Sequence, residues 1–142
     1  MAITKILVAY DGSELADKAL DLALDIVRHN TEAHADIVNV VPVPFLTETQ
    51  AANFQEITNM MMQDGKEVLY RVSDKIEGVV DQIVTLLLAG VAPASELLKM
   101  ANSGSYDLMV VGNRGLSGLK QYMGSVSYRV FHESTIPVLI AK

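Results

Sequence analysis

The chain contains no cysteine. Disulfides, thiolate nucleophiles and cysteine-ligated metals are therefore excluded, and the absence fits a reducing compartment. It also lacks an excess of positive charge: 11 Lys and Arg stand against 17 Asp and Glu, a net charge of −6. That balance disfavours polyanions in bulk, so DNA and RNA are not expected partners. One phosphorylated small molecule held by backbone amides remains compatible with it. No apolar run reaches the ~18 residues of a membrane span. Met1–Lys5 leads straight into a strand-like run, without the charged region, apolar stretch and cleavage site of a signal peptide. A cytoplasmic location without membrane insertion is expected. No repeat, low-complexity tract or linker divides the 142 residues. The length suits one domain, 1–142, around one core.

Half of the residues are apolar and a fifth are charged, the balance of a globular chain. Ile3–Tyr10 reads as a buried first strand ending at Asp11-Gly12-Ser13. A helix follows over Glu14–Arg28, where Ala16, Ala19, Leu20, Ala23, Leu24 and Val27 form one apolar stripe. Ser13 is its expected N-cap, and Glu14 suits the positive end of the helix dipole. Ala35–Val41 reads as the second strand, ended by Pro42-Val43-Pro44 because proline cannot donate to a central ladder. Glu48 to Ile76 has a helical pattern, although Phe45–Asn59 reads equally as a loop. Met60, Met61 and Met62 read either as an adaptable interaction surface or, the favoured reading, as ordinary helix packing with at least one of them in the core. Gln82–Leu88 is the third strand, closed by Gly90, and Pro93 suits the first turn of a helix over Ala94–Ala101. Leu108–Val111, Ser125–Glu133 and Pro137–Ala141 complete the pattern as strand, helix and strand. This alternation predicts an α/β doubly wound fold: a five-stranded parallel sheet with right-handed crossovers and about four helices on both faces.

Ligands of such sheets sit beyond the carboxyl ends of the strands, where the strand order reverses. In the common order 3-2-1-4-5, strands one and four meet there. Their loops, Asp11-Gly12-Ser13 and Gly112-Asn113-Arg114-Gly115, would face one crevice. Gly112 and Gly115 permit close backbone approach and positive φ. Gly124-Ser125-Val126-Ser127 stands where a helix starts, and a helix start presents unpaired N–H groups to an anion. The two hydroxyls can add hydrogen bonds to phosphate, and Arg114 can add charge at the mouth.

The common phosphate fingerprints are absent. Gly112-x-x-Gly115 is not GxGxxG, and no GxxxxGK[ST] occurs. His29, His34 and His132 form no ligand pair and are expected on the surface, so no protein-ligated metal is expected. Ser13, Ser125 and Ser127 have no base partner legible in the sequence, so no catalytic residue is assigned.

The segments Ile6–Ser13, Asp107–Gly112, Gly112–Lys120, Gly124–Ser127 and Pro137–Ile140 together resemble the universal stress protein family, over nearly the whole chain. The resemblance implies the order 3-2-1-4-5 and a bound ATP or AMP. It places Asp11 near the adenine and Ala9 and Val40 against the base. Gly112, Arg114, Gly115, Gly124, Ser125, Val126 and Ser127 would hold ribose and phosphates, and Val111 completes the candidate set. Any Mg²⁺ would be held through the phosphates. The resemblance also implies a homodimer through the last strand, Val138–Ala141, and a stress-related regulatory role with little or no hydrolysis. A weak Mg²⁺-dependent ATPase or autokinase and a non-binding adaptor dimer are the alternatives. The chain departs from the family pattern in two places. Only eight residues separate Gly115 from Gly124, where the family usually has nine, and Ala9 stands where many members have proline.

Overall fold

In the computed structural model, which describes residues 2–43, 53–114 and 123–142, strands and helices alternate along the chain. β1 (Lys5–Ala9), β2 (His34–Pro42), β3 (Ile83–Gly90), β4 (Leu108–Gly112) and β5 (Val138–Ala141) form one parallel sheet in the order 3-2-1-4-5. They are linked by α1 (Glu14–His29), α2 (Phe54–Tyr70), α3 (Pro93–Ala101) and α4 (Ser125–Glu133). The doubly wound α/β class and the strand order agree with the reading of the sequence.

Successive side chains of a strand point to opposite faces of the sheet. Ile6 and Val8 therefore pack with Ile37, Val110 and the stripe of α1 on one face, where Leu69 of α2 joins them. Leu7, Val38, Met109 and Val111 pack with Leu97 and Leu98 of α3 and Val130 of α4 on the other. All six predicted stripe residues of α1 are buried. Ser13 caps the helix as expected, its hydroxyl accepting from the Ala16 N–H at 3.2 Å.

The amino-terminal edge of the sheet is pinned by polar groups. The buried Asp36 carboxylate takes a hydrogen bond from the Tyr106 hydroxyl at 2.6 Å and lies 3.2 Å from the Lys5 ammonium. Burial, then this hydrogen bond, push the Tyr106 hydroxyl well above its ordinary pKa. Asp107 accepts from the Thr4 and Lys5 amides, which hold its carboxyl below the usual range.

Several element ends differ from the sequence reading, for identifiable reasons. Pro42 is itself the last residue of β2 and not a stop just after it; it pairs with Gly90, and the Val43 N–H bonds to the Gly90 carbonyl at 2.8 Å. Alternate residues of a parallel strand bond to opposite neighbours. Val38 bonds to the β1 side through Tyr10, so Pro42 also points there, beyond the end of β1, where no donor is needed. Gly90 is accordingly the last residue of β3 and not a stop before it. α2 ends at Tyr70 and passes into a 3₁₀ turn over Arg71–Asp74; the proposed start at Glu48 lies outside the described residues. None of the three methionines is fully buried, and Met60 is 65% exposed, because the close face of α2 is turned by Gly65 and Leu69. Gln82 does not begin β3. It sits in a 3₁₀ turn, and its amide nitrogen reaches the carbonyls of Val27, Asn30 and Ala33 at 3.1, 3.0 and 2.8 Å, closing the end of α1.

Candidate functional site

A cavity of about 710 Å³ opens beyond the carboxyl ends of β1, β2 and β4. This is the switch point of the sheet, since β1 and β4 are neighbours whose connections leave in opposite directions. The strand alternation decides its lining. Ala9, Val40 and Val111 point to the α3/α4 face and form an apolar floor, with Pro93 and Leu97 of α3 beside them. Asp11 and Ser13 line one wall, from the turn between β1 and α1. Gly112, Arg114 and the start of α4, Gly124 to Ser127, line the opposite end. Every predicted site residue within the described part of the chain thus borders one cavity; Gly115 lies outside the described residues.

The wall at Asp11 is built by local hydrogen bonding. Its Oδ1 accepts from the Ser13 N–H at 2.9 Å, closing an Asx turn, and Gly12 adopts φ +80, which favours glycine. Tyr10 is fixed from three sides. Its N–H donates to the Val38 carbonyl at 2.8 Å, its carbonyl accepts from the Asn39 amide at 2.9 Å, and its hydroxyl donates to Asp17 at 2.5 Å. Burial first, and then the Asp17 carboxylate, push that hydroxyl up to about 12 from 10.0.

The opposite end is a helix start without a side-chain cap among the described residues. Gly124 is the N-cap residue of α4, in extended geometry, with its own N–H bonded to the Asn113 carbonyl. The first regular bond of the helix runs from the Tyr128 N–H to the Gly124 carbonyl. The amides of Ser125, Val126 and Ser127 therefore carry the partial positive charge of the helix end at the cavity. Asn113 is anchored in turn by its N–H to the Ala141 carbonyl at 2.7 Å, which ties the loop to β5.

Two residues play parts different from those expected. The Ser127 side chain is buried and its hydroxyl donates to the Gly112 carbonyl, so it braces β4 against α4 instead of offering its proton to a ligand. The missing side chain of Gly112 faces α1. A Cβ there would lie 3.0 Å from the backbone carbon and 3.0 Å from the Cβ of Leu15. This glycine lets α1 approach the sheet, and its φ is not positive. Ser125 is exposed, with its hydroxyl at the cavity end.

The profile of the universal stress protein family matches residues 2–142. The chain belongs to this family. Universal stress protein YxiE of Bacillus subtilis is 35% identical over 147 residues, covering 97% of this chain and 98% of that protein. The structure of universal stress protein UspA from Lactobacillus plantarum has the same fold, with a TM-score of 0.85 over 100% of this chain and 99% of that one, at 19% identity. A universal stress protein solved in complex with cAMP is 27% identical, with a TM-score of 0.72 and coverage of 100% and 99%.

Reading the sequence for universal stress protein motifs missed the walls contributed by Asn39, Pro42, Pro93 and Leu97. Pro93 and Leu97 had a signal in hand: the proline that starts α3 places that helix over the carboxyl ends of the strands. Asn39 had a weaker one, as the only amide within the β-branched run of β2. His29, His34 and His132 are all exposed, and among the described residues no group of three His, Asp or Glu is placed to hold a metal ion.

Proposed function

We propose that the cavity binds an adenine nucleotide, ATP or AMP, and that the protein is a dimeric regulatory module of the universal stress type, one domain over residues 1–142. The observation that carries this reading is the polarity of the cavity: an apolar floor of Ala9, Val40 and Val111 at one end and, at the other, the start of α4, which has no side-chain cap among the described residues. A flat apolar base suits the first, beside Asp11; phosphates suit the second, where the amides of Ser125, Val126 and Ser127 converge. Arg114, which lines the cavity, supplies positive charge, and Gly115, the next residue in sequence, remains a candidate phosphate contact. The cAMP complex of a 27% identical family member supports an adenine ring in this fold. Any Mg²⁺ would be carried by phosphate oxygens and water.

Isothermal calorimetry with ATP and AMP tests the reading. Saturable binding in the micromolar range, roughly 8 kcal/mol, is expected. No saturation up to millimolar nucleotide would refute it. Turnover is expected to be no higher than that of a Gly124→Val control; Mg²⁺-dependent hydrolysis above the control would favour the ATPase reading.

The dimer is assigned to β5, one edge of the sheet. Leu139 is 37% exposed there, and Tyr128 and Phe131 of α4 are exposed as well. An open apolar edge of this kind needs covering. Light scattering is expected to give a dimer that Leu139→Lys weakens. A cytoplasmic setting fits the absence of cysteine, and no helix among the described residues is long and apolar enough to cross a membrane.

A further inference from the structure

Asp11 is the one carboxylate among the described residues that line the cavity, and it sits beside a glycine. Gly12 adopts a left-handed φ of +80 and brings the backbone freedom of that residue to the turn. The Asx bond to Ser13 closes the turn locally, but it does not fix the turn to the rest of the protein. Two side chains from distant segments do that. The Asn39 amide, from β2, donates to the carbonyl of Tyr10, just before Asp11, at 2.9 Å. The Arg71 guanidinium, from the turn that follows α2, donates to the carbonyl of Gly12, just after it, at 3.3 Å.

We propose that Asn39 and Arg71 are positioning residues for Asp11, one gripping the peptide unit just before it and the other the Gly12–Ser13 unit one residue beyond it, and thereby setting where its carboxylate stands in the cavity. The role rests on the nucleotide reading of the site given above. Three further observations carry it. A Cβ on Gly12 would lie 2.7 Å from Arg71 Nη1, so the guanidinium lies directly against the turn. A Cβ on Gly65 would lie 3.0 Å from Asn39 Oδ1, so α2 presses on the oxygen side of that amide while its nitrogen faces Tyr10. Both grips therefore depend on how α2 and the turn after it are seated. Arg71 is itself exposed, so its replacement leaves the core intact.

A double-mutant cycle on the full chain separates positioning from a merely structural role. Asn39→Leu and Arg71→Met are made in the natural sequence and with Asp11→Ala, and ATP and AMP affinities are measured by calorimetry, extended by competition into the millimolar range. Unliganded melting temperatures are recorded for all. The expected result is a loss of affinity of about five- to tenfold for each replacement in the natural background. With Asp11→Ala already present, the further loss should be less than about twofold, while the change in melting temperature is the same in both backgrounds. Arg71→Lys, which keeps a donor, is expected to retain most of the affinity. Natural protein that binds nucleotide, with variants that bind as tightly or lose as much in the Asp11→Ala background, would overturn the positioning role alone. Natural protein that binds no nucleotide would overturn the nucleotide reading, and the positioning role with it.

Discussion

Gly112→Ala decides between two reasons for a glycine at the end of β4. If the residue is small so that a phosphate can approach, alanine lowers affinity and leaves the fold alone. The structure gives the other reason. The new methyl would stand 3.0 Å from the carbonyl carbon and Cβ of Leu15 and 3.1 Å from its oxygen. Two of these are backbone atoms of the first turn of α1, which cannot rotate away. Overpacking of this kind costs about 1–3 kcal/mol. Since φ at Gly112 is not positive, alanine also gains the usual ~0.4–1 kcal/mol from a less flexible unfolded chain. The difference is a net loss between about 0 and about 2.6 kcal/mol, centred on about 1.3 kcal/mol. At about 4 °C per kcal/mol for a chain of this size, the melting temperature should fall by roughly 5 °C, and by no more than about 10 °C. Differential scanning calorimetry without nucleotide measures it. An unchanged melting temperature together with lost nucleotide binding would refute the reasoning and return Gly112 to the phosphate site.

Other replacements report on separate parts of the structure. Gln82→Leu strips a donor from three carbonyls at the end of α1 and should cost about 1–3 kcal/mol in urea denaturation; a neutral result would mean that water replaces the amide fully. Ser127→Ala should lower the melting temperature with little effect on nucleotide affinity, whereas Ser125→Ala should weaken binding by roughly 1.5–3 kcal/mol with the melting temperature unchanged; the reverse pattern would exchange their roles. Tyr10 has its hydroxyl pKa raised in the folded state, so its contribution to stability is complete below pH 10 and is lost as pH rises towards about 12. The Tyr10→Phe protein should therefore lose less stability than the natural one across that interval, measured by denaturant titration at a series of pH values.

The fold was legible because its signals are local. The stripe of α1, the Ser13 cap and the buried aliphatic runs of β1 and β4 each imply their element without knowledge of the others. Where the sequence misled, a distant partner decided. Pro42 could remain in β2 only because β1 had already ended, and Gln82 left β3 to serve the end of α1. The site showed the same division. The floor residues Ala9 and Val40 followed from the family resemblance, and the helix start from Gly124-Ser125-Val126-Ser127. The orientation of the Ser127 hydroxyl and the steric need of Gly112 depend on β4, α4 and α1 meeting, which no spacing encodes. The shortened interval between Gly115 and Gly124 falls largely outside the described residues, yet its far end still delivers Gly124 as the N-cap of α4.

β1 and β2 part company at the cavity like a zipper stopped short. Tyr10 gives the last rung, its N–H to the Val38 carbonyl. In a continuing parallel ladder the next rung would run from the Val40 N–H to the Tyr10 carbonyl. That carbonyl is taken by the Asn39 side chain instead, and no such rung forms. The pairing with β1 thus stops at Val38, four residues before β2 itself ends at Pro42. The β1-facing peptide edge at Val40, a residue that lines the cavity, is left as an unpaired strand edge, offering main-chain hydrogen-bonding groups that no substitution short of proline alters.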